Sequence, residues 1–350
     1  MQNEIEHIVA RLGKNAERFS GKTVLLAGGA GFLGTYFTKV FQQINKSVSK
    51  PCTVISVDNF ITGSKRRDET VAMDPNISSV WADIVHPLPV REDIDFIIHA
   101  AGIASPVFYM KYPVETIESA VHGTKNLLEL ARRNKGLEGF LFFSSSEIYG
   151  DPDPREVPIK ETYLGNVSTV GPRACYDESK RLGETFCKIY QEKYNVPVKI
   201  VRPFNVFGPG MGHNDRRVVP MFTYEAINGR PIPVHGSGEQ TRTFCYISDA
   251  IFGFLLTLLN GEVGEAYNIG NPDNEISMIQ LAEMFAKVVP GSNLKKIEYP
   301  STYPAGEPQR RCPDISKAFK TLGYTSEVDV AEGLSRFVEW ARTRPEYIGG

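Results

Sequence analysis

A tyrosine and a lysine four residues apart, in the segment CYDESKR, are the first residues whose types could do chemistry. Tyr176 and Lys180 fall in a helical stretch, so this spacing places both side chains on one face. A tyrosine normally keeps its proton near neutral pH, but an adjacent ammonium group favours the phenolate. The pair is therefore a candidate base, although a Tyr and a Lys at this spacing are also common on ordinary helix surfaces.

Polar residues also end the predicted strand LFFSSSEIYG. Ser144, Ser145, Ser146 and Glu147 fall at the carboxyl end of that strand, which is the edge where α/β proteins bind their ligands. Together with the Tyr and Lys pair they predict a catalytic site. An exposed strand-end carboxylate is the alternative interpretation of Glu147.

Three glycines at three-residue spacing follow the first predicted strand, in GGAGFLG. Gly28 permits a tight turn, Gly31 lets backbone amides approach a pyrophosphate, and Gly34 allows close packing of helix on strand. Asp58 ends the next strand, VISVDNF, where a carboxylate can bind ribose hydroxyls and repel a 2′-phosphate. The pattern predicts a dinucleotide site that takes NAD rather than NADP.

Other residues predicted near this turn are less specific indicators of a dinucleotide site. Asp83 and Ile84 follow the third strand, where a side chain and the backbone could meet an adenine ring. The basic run Lys65, Arg66 and Arg67 follows Asp58 and is interpreted as a solvated face.

The elements that must position these residues are short, β-branched apolar runs separated by helical patterns. Strands are predicted at Thr23–Ala27, 53–57, 94–99, 140–144 and 198–201, with a helix over 114–134. Such alternation is typical of α/β proteins with a doubly wound parallel sheet. Residues 1–20 have the pattern of an amphipathic helix that packs on this sheet.

The composition of the sequence changes after Arg202, where Gly and Pro become frequent and the predicted strands become shorter. Helices are predicted at Met278–Val288 and 328–343. We therefore expect a dinucleotide-binding domain at 1–203, to which 242–262 return, and a smaller C-terminal α/β substrate lobe at 204–241 and 263–350.

Composition narrows the class of protein. The 350 residues include 39 basic and 41 acidic side chains, a balance that does not favour nucleic acid or an anionic membrane as partner. The start of the chain is too charged for a signal peptide, and the longest apolar run, 251–259, is too short to span a bilayer. Five scattered cysteines without CxxC spacing indicate neither a metal site nor a disulfide framework. A cytoplasmic protein is expected.

The chain resembles the extended short-chain dehydrogenases and reductases, and among them the UDP-glucuronate decarboxylases. The resemblance rests on segments that span nearly the whole chain: GGAGFLG, VDNFITG, ASPVFYMKYP, SSSEIYGDP, VGPRACYDESKR, RPFNVFGPGM, HNDRRVVPMF, GSGEQTRTFCYISD and EPQRRCPDISKA. It implies a Rossmann-type sheet, NAD as cofactor, a nucleotide-sugar substrate with UDP favoured, and a homodimer formed by the Tyr176 helix and the 114–134 helix.

The resemblance also implies roles in catalysis. Tyr176 would remove the proton of the sugar 4-hydroxyl, Ser145 would share its hydrogen bond, and Lys180 would hold the nicotinamide ribose. Glu147 and Arg242 would flank the sugar carboxylate and carbon 5, with Ser146 beside them. A 4-keto uronic acid has its carboxylate beta to the new carbonyl, so it readily loses carbon dioxide, and UDP-xylose follows when the hydride returns.

Further residues are implied as contacts by the same motifs. The cofactor contacts are Gly28, Gly31, Phe32, Leu33, Gly34, Asp58, Asn59, Asp83, Ile84, Ala100, Ala101, Tyr176, Lys180 and Arg202. The substrate contacts are Ser105, Tyr109, Glu147, Asn205, Arg217, Val234, His235, Arg242 and Arg311. Two positions depart from the family, since relatives typically carry asparagine at Ala120 and tyrosine at His235.

Other functions stay open. A 4-epimerase usually lacks a glutamate at the Glu147 position, and a 4,6-dehydratase typically carries aspartate where Ser146 stands. A non-catalytic dinucleotide-binding protein is a third alternative, disfavoured because Tyr176, Lys180 and Ser145 are all present.

Overall fold

The computed structural model describes residues 1–62, 73–90, 93–299 and 308–349. The basic run Lys65, Arg66 and Arg67 lies outside these residues. The first part of the chain contains α1 (Gln2–Leu12), β1 (Thr23–Ala27), α2 (Phe32–Ile44), β2 (Thr53–Asp58), β3 (Ile77–Trp81), β4 (Phe96–His99), α3 (Pro106–Lys111), α4 (Pro113–Glu118), α5 (Thr124–Arg133), β5 (Gly139–Phe143), α6 (Ala174–Tyr194) and β6 (Val198–Pro203).

The second part of the chain has shorter elements. They are β7 (Val206–Phe207), α7 (Val218–Ile227), β8 (Ile232–His235), β9 (Thr241–Thr243), β10 (Cys245–Tyr246), α8 (Ile247–Asn260), β11 (Ala266–Ile269), β12 (Glu275–Ser277), α9 (Met278–Val288), β13 (Leu294–Ile297), β14 (Arg310–Arg311), α10 (Ser316–Leu322) and α11 (Val330–Ala341).

A seven-stranded sheet in the order β3-β2-β1-β4-β5-β6-β11 forms the large lobe, and neighbouring strands are parallel throughout. Strand β5, whose sequence is GFLFF, is buried along its whole length, as expected of a strand with helices on both faces. The order reverses between β1 and β4, so the carboxyl ends of these strands open a crevice for ligands.

Helices cover both faces of the sheet. On one face α1, α2 and α8 pack with one set of strand side chains, and on the other α5 and α6 pack with the alternate set. The doubly wound α/β fold predicted from the alternation of elements is therefore confirmed.

The helix predicted over 114–134 is interrupted. A π-helical segment over Ser119–Gly123 separates α4 from α5. A side chain at Gly123 would meet Ile84 Cδ1 at 2.5 Å, so this segment lies directly against the end of β3. Ala120, which departs from the family pattern, is buried in it.

The smaller lobe is built on three short sheets, β12-β9-β14, β8-β13 and β7-β10. Helix α9 begins at Met278 because Ser277 and Gln280 form a capping box at its first turn. The predicted division of the chain needs two corrections. Residues 242–243 and 245–246, assigned above to the large domain, lie in β9 and β10 of these short sheets. Residues 266–269, assigned above to the smaller lobe, form β11, which pairs with β6 in the large sheet.

The reason for these errors is the extent of the returning segment. Helix α8 is buried on all sides and β11 follows it after a short turn, so the returning segment runs over 247–269 rather than 242–262. Within the described residues, no helix is long and apolar enough to cross a membrane.

Candidate active site

The turn between β1 and α2 requires glycine at two positions. Gly28 has a φ of +89°, and a Cβ there would lie 2.6 Å from the backbone nitrogen of Ala101. A Cβ on Gly34 would lie 2.1 Å from the carbonyl oxygen of Gly28. The turn therefore lies directly on the end of β4, and the first turn of α2 packs against it. We call this turn the glycine cradle, because neither Gly28 nor Gly34 has room for a side chain.

Asp58 at the end of β2 holds the same turn. Its carboxylate accepts hydrogen bonds from the backbone N–H of Ala30 at 2.9 Å and of Phe60 at 2.7 Å. The Asn59 amide donates to the Asp83 carboxylate at 2.9 Å, which joins the ends of β2 and β3. These carboxylates are thus placed at one edge of the sheet.

A cavity runs along this edge, and its lining suits a dinucleotide. It is lined by Gly28, Gly31, Val57, Asp58, Asn59, Ile61, Thr62, Ala82, Asp83, Ile84, Val85, Ala100, Ala101, Gly102, Ile103, Glu115, Glu118 and Ser119. Among these are eight of the predicted cofactor contacts. A glycine cradle beside a carboxylate at the end of β2 has the features that NAD requires.

The remaining predicted cofactor contacts include two residues at the start of α2 and one arginine at the end of β6. The Phe32 ring packs edge-on against Tyr36 at 5.8 Å, and Leu33 packs on the core, so what these two residues can offer at the start of α2 is their backbone N–H groups. The cofactor contact of Arg202 stays a prediction. Its guanidinium is hydrogen-bonded to Glu184 at 2.6 Å and to the Tyr149 hydroxyl at 2.8 Å, so it is occupied inside the protein.

Lys180 and Tyr176 lie on one face of α6, as their spacing predicts. The Lys180 ammonium donates to the carbonyl of Phe143 at 2.7 Å and lies 5.8 Å from the centroid of the Tyr176 ring. Burial lowers the pKa of Lys180 to about 8. The lysine is therefore held at the end of β5, between the predicted catalytic serines and the end of β4.

Tyr176 is buried beneath a second tyrosine. Its ring stacks on that of Tyr109, with centroids 5.4 Å apart and planes 15° from parallel. Burial raises the pKa of Tyr176 to about 12, against the lowering effect of a hydrogen bond with the Ser145 side chain. Because the pKa is this high, a bound cation beside the ring is needed before the phenolate can serve as a base near neutral pH.

Glu147 is bound by two arginines. One carboxylate oxygen accepts a hydrogen bond from Arg173 and the other from Arg311. Burial acts to raise the pKa of this carboxyl, but Arg311 and Arg173 outweigh it and lower the pKa to about 2. Glu147 is therefore a permanent anion, and the alternative of an exposed strand-end carboxylate is wrong.

Two arginines of this cluster come from adjacent strands of the small lobe. Arg242 on β9 and Arg311 on β14 are paired in register, which brings both to the same place. Arg311 is 1% exposed, and its Nε has no hydrogen-bond partner within the described residues. Arg242 is also buried, and its guanidinium donates to the Thr241 carbonyl at 2.7 Å.

Asp177 lies behind Arg173 on α6. Its Oδ2 is 3.7 Å from Arg173 Nε, and its Oδ1 is buried with no hydrogen-bond partner among the residues described. Burial and the neighbouring Glu147 raise the pKa of Asp177 to about 7. Two carboxylates thus share one arginine, and only Glu147 is ionised at every pH near neutrality.

A large cavity of about 790 Å³ joins this cluster to the small lobe. The predicted substrate residues that line it are Tyr109, Glu147, Asn205, Arg217, His235, Arg242 and Arg311. Asn205 donates to the Thr243 carbonyl at 2.9 Å, and Arg217 is paired with Asp215 at 2.5 Å. Side chains separated by as many as 202 positions of sequence, from Tyr109 to Arg311, therefore meet at one surface.

On the wall of the same cavity the His235 ring lies 5.5 Å from that of Tyr299, to whose hydroxyl the Gln240 amide donates at 2.9 Å. The Val234 side chain is buried in the core, so what this residue can offer to a ligand is its backbone, and its substrate contact stays a prediction. A valine on a strand with alternating burial faces inward while its neighbour His235 faces the cavity.

Two predicted site residues, Ser105 and Ser146, are absent from the cavity walls, and one residue that was not predicted is present there. Ser105 and Ser146 are buried and do not line either cavity, so their roles stay predictions. Arg173, by contrast, lines the large cavity and was missed. Its signal was its place in GPRACYDESKR, one helical turn before Tyr176.

The sequence and fold were compared with known proteins. The sequence model of the NAD dependent epimerase/dehydratase family matches residues 24–270. UDP-glucuronic acid decarboxylase 1 of Xenopus tropicalis is 40% identical over 93% of this chain and 73% of its own length. UDP-glucuronic acid decarboxylase 6 of Arabidopsis thaliana is 39% identical over 95% of this chain and 92% of its own.

Among solved structures, UDP-glucuronic acid 4-epimerase from Bacillus cereus, in complex with UDP-glucuronic acid and NAD, superposes with a TM-score of 0.78. The two chains are 25% identical, and the match covers 92% of this chain and 99% of the epimerase.

Proposed function

This chain belongs to the NAD dependent epimerase/dehydratase family, and from that premise we propose that it decarboxylates UDP-glucuronate to UDP-xylose through a 4-keto intermediate. The proposal extends to this chain the activity by which its relatives of about 40% identity are named. NAD is regenerated within each turnover, so the reaction is redox-neutral.

The observation that carries the proposal is the cluster of arginines around Glu147. Arg173 and Arg311 bind the Glu147 carboxylate, and Arg242 acts on it electrostatically, all at the wall of the large cavity. Three arginines therefore face at most two carboxylates, Glu147 and Asp177, so the positive charge here exceeds the negative charge at any protonation state of Asp177. A buried excess of positive charge favours an anion, so this end of the cavity suits the carboxylate of a hexuronate better than the neutral hydroxymethyl group of a hexose.

The cofactor would be held by the glycine cradle at Gly28, by the carboxylate of Asp58 and by the residues at the ends of β3 and β4. When bound, NAD accepts the hydride of sugar carbon 4 and later returns it. Lys180, fixed to the Phe143 carbonyl and 5.8 Å from the Tyr176 ring, would orient the nicotinamide ribose and favour deprotonation of Tyr176.

The proton steps fall to residues at the end of β5 and on α6. Tyr176 takes the proton of the 4-hydroxyl with Ser145 sharing its hydrogen bond, and later returns that proton to the same oxygen. In the 4-keto acid the bond to the carboxylate breaks, carbon dioxide leaves, and an enolate remains. Glu147 and Arg242 orient the carboxylate before it departs.

A second candidate is a 4-epimerase acting on the same substrate. The observation in its favour is the similarity to the Bacillus cereus UDP-glucuronic acid 4-epimerase, which binds UDP-glucuronic acid in its solved structure. A 4,6-dehydratase-like reaction is less well supported, because Ser146 stands where such enzymes typically carry an aspartate. A non-catalytic role is least supported, because Tyr176, Lys180 and Ser145 are assembled together.

The test is to incubate the purified protein with NAD⁺ and UDP-glucuronate and to follow products by NMR and mass spectrometry. Release of carbon dioxide with a UDP-pentose supports the decarboxylase. UDP-galacturonate would make it an epimerase, and unchanged substrate would contradict both and direct the search to other nucleotide hexoses.

We also propose a homodimer and a cytoplasmic location. Val114 and Ile117 on α4 and Leu182 and Ile189 on α6 are exposed, which gives these packed helices an apolar outer surface. The five cysteines are free thiols, as expected in a reducing compartment. Light scattering that gives a monomer mass would contradict the dimer, and cell fractionation tests the location.

A further inference from the structure

Decarboxylation leaves a demand for a proton at the wall of the large cavity. Asp177 can carry a proton near neutrality, but it is not among the described residues that line this cavity, and the other residues discussed so far do not meet the demand. Loss of carbon dioxide places an electron pair on sugar carbon 5, and the product carries a hydrogen there. Tyr176 must keep the proton it removed for the 4-oxygen. Arg311 and Arg173 hold the pKa of Glu147 at about 2, against the opposite effect of burial, so this carboxylate has no proton to give.

Tyr109 has the features of the missing donor. It lines the large cavity, it is 2% exposed, and its hydroxyl is buried with no hydrogen-bond partner in the part of the chain that the structure describes. A buried hydroxyl without a partner costs free energy, so such a group needs an explanation, and a partner supplied by a bound molecule is one. Its position is fixed, because its ring is stacked on Tyr176.

The charges around Tyr109 suit a group that gives up a proton and regains it. Burial raises the pKa of its phenol above the usual value, so it stays protonated until a strong base such as an enolate is present, while the nearby Arg173 acts in the opposite direction and would stabilise a transient phenolate. Two other side chains on the cavity wall that could give a proton, His235 and Tyr299, pack on each other, whereas Tyr109 is the one stacked on the proposed base Tyr176.

We propose, on the basis of the function proposed above, that Tyr109 is a further catalytic residue that protonates carbon 5 of the enolate. The bond between carbon 5 and the carboxylate breaks, and its electron pair forms the enolate as carbon dioxide leaves. A carbon 5–hydrogen bond then forms with the Tyr109 proton, and the phenolate left behind takes a proton from solvent. In total, one solvent proton is consumed for each carbon dioxide released.

The experiment compares wild type, Tyr109→Phe and Tyr112→Phe with NAD⁺ and UDP-glucuronate in D₂O. Phenylalanine keeps the ring that stacks on Tyr176, and Tyr112 is a half-buried tyrosine outside the cavity wall, so its variant is a matched control. Carbon dioxide, UDP-xylose, enzyme-bound NADH by absorbance, and the configuration of deuterium at carbon 5 by NMR are followed. Circular dichroism and NAD binding verify that each variant is folded.

The expected result is that Tyr109→Phe still releases carbon dioxide but forms UDP-xylose about 10²-fold more slowly than wild type or the control. The enolate and NADH should accumulate, and the enolate should take deuterium from solvent on either face, so that UDP-4-keto-pentose is released and deuterium at carbon 5 loses its single configuration.

Two results would overturn the inference: UDP-xylose formed by Tyr109→Phe at the wild-type rate with one configuration, or a folded variant that fails to release carbon dioxide. A wild type that releases no carbon dioxide would instead refute the proposed function, so the two failures are distinguishable.

Discussion

The two cavities of this protein are built in different ways. The dinucleotide cavity is shaped largely by backbone, since Gly28 lies against Ala101 and the Asp58 carboxylate is bonded to the N–H of Ala30. The large cavity is shaped by side chains, since Arg173, Arg242 and Arg311 reach it from a helix and from two strands of the small lobe.

The difference separates a general task from a specific one. A cofactor common to a whole family can be held by a turn whose geometry depends on glycine alone. A particular sugar must be recognised by charged groups at defined places, and buried charges keep their places only when each is paired. Variants in the two cavities should therefore fail in different ways.

The largest effect is expected for Tyr176→Phe, which removes the proposed base without changing either cavity's walls. Turnover should fall by about 10²–10⁴-fold, while NAD binding measured by calorimetry stays near that of wild type. Tyr194→Phe, at the end of the same helix and 39% exposed, is the control. Unchanged turnover of every nucleotide sugar by Tyr176→Phe would contradict the assigned role.

Next in size is Arg311→Met. Its removal leaves Glu147 with one arginine fewer in a buried place, so urea unfolding should show a loss of about 3–5 kcal/mol, and turnover of UDP-glucuronate should fall. Arg310→Met, at the neighbouring 47% exposed arginine paired with Glu275, should cost about 1 kcal/mol or less. Equal losses of unfolding free energy in the two variants would contradict the prediction that burial strengthens the contribution of the Arg311–Glu147 pair.

A smaller effect is expected for Gly28→Ala in the dinucleotide cavity. The added Cβ would meet the backbone of Ala101, and the positive φ is unfavourable for alanine, at a cost of about 1–3 kcal/mol. NAD affinity should fall by about tenfold or more. Gly136→Ala, where the Cβ meets open space, is the control. If NAD binds both variants equally, the cradle is not the binding site.

The smallest effect concerns the pH dependence of stability. The pKa of Asp177 is raised from 3.8 to about 7, so between these values the folded protein binds a proton that the unfolded chain has lost, and stability falls as pH rises. Glu147 acts in the opposite sense, because its pKa is lowered from 4.5 to about 2 and its contribution is lost as pH falls through that interval.

Asp177→Asn should therefore remove part of the fall in thermal stability between pH 5 and about pH 8, by about 2 °C or more in melting temperature. Asp93→Asn, at an exposed aspartate, should leave the curve unchanged. A wild-type melting temperature that rises across this range would contradict the direction given for Asp177.

Much of the fold could be predicted because its signals are local. The strand Thr23–Ala27 and the helix Met278–Val288 have the bounds that the apolar pattern predicted. The strand predicted at 198–201 extends to Pro203. The helix over 114–134 could not be predicted in detail, because its π segment follows from the approach of Ile84 to Gly123, a contact between distant parts of the chain.

The residues of the site show the same distinction between local signals and contacts of distant parts of the chain. Gly28, Gly34 and Asp58 could be identified from one strand and one turn, since their roles depend on neighbours in sequence. The sequence does not reveal the partners of the Arg202 side chain, which are Glu184 on α6 and Tyr149 after β5. A guanidinium binds whichever carboxylate is nearest in space, and that distance is a tertiary property.

By itself, the sequence determined the alternation of strands and helices, the glycine turn, and the Tyr176 and Lys180 pair on one helical face, because each follows from spacing along the chain. Only the tertiary structure decided which charges meet. It brings Arg311 to Glu147 and stacks Tyr109 on Tyr176, and it fixes Glu147 as an anion and Asp177 as an acid that titrates near neutrality. Electrostatic interactions depend on distance and burial, and both quantities exist only once the chain has folded.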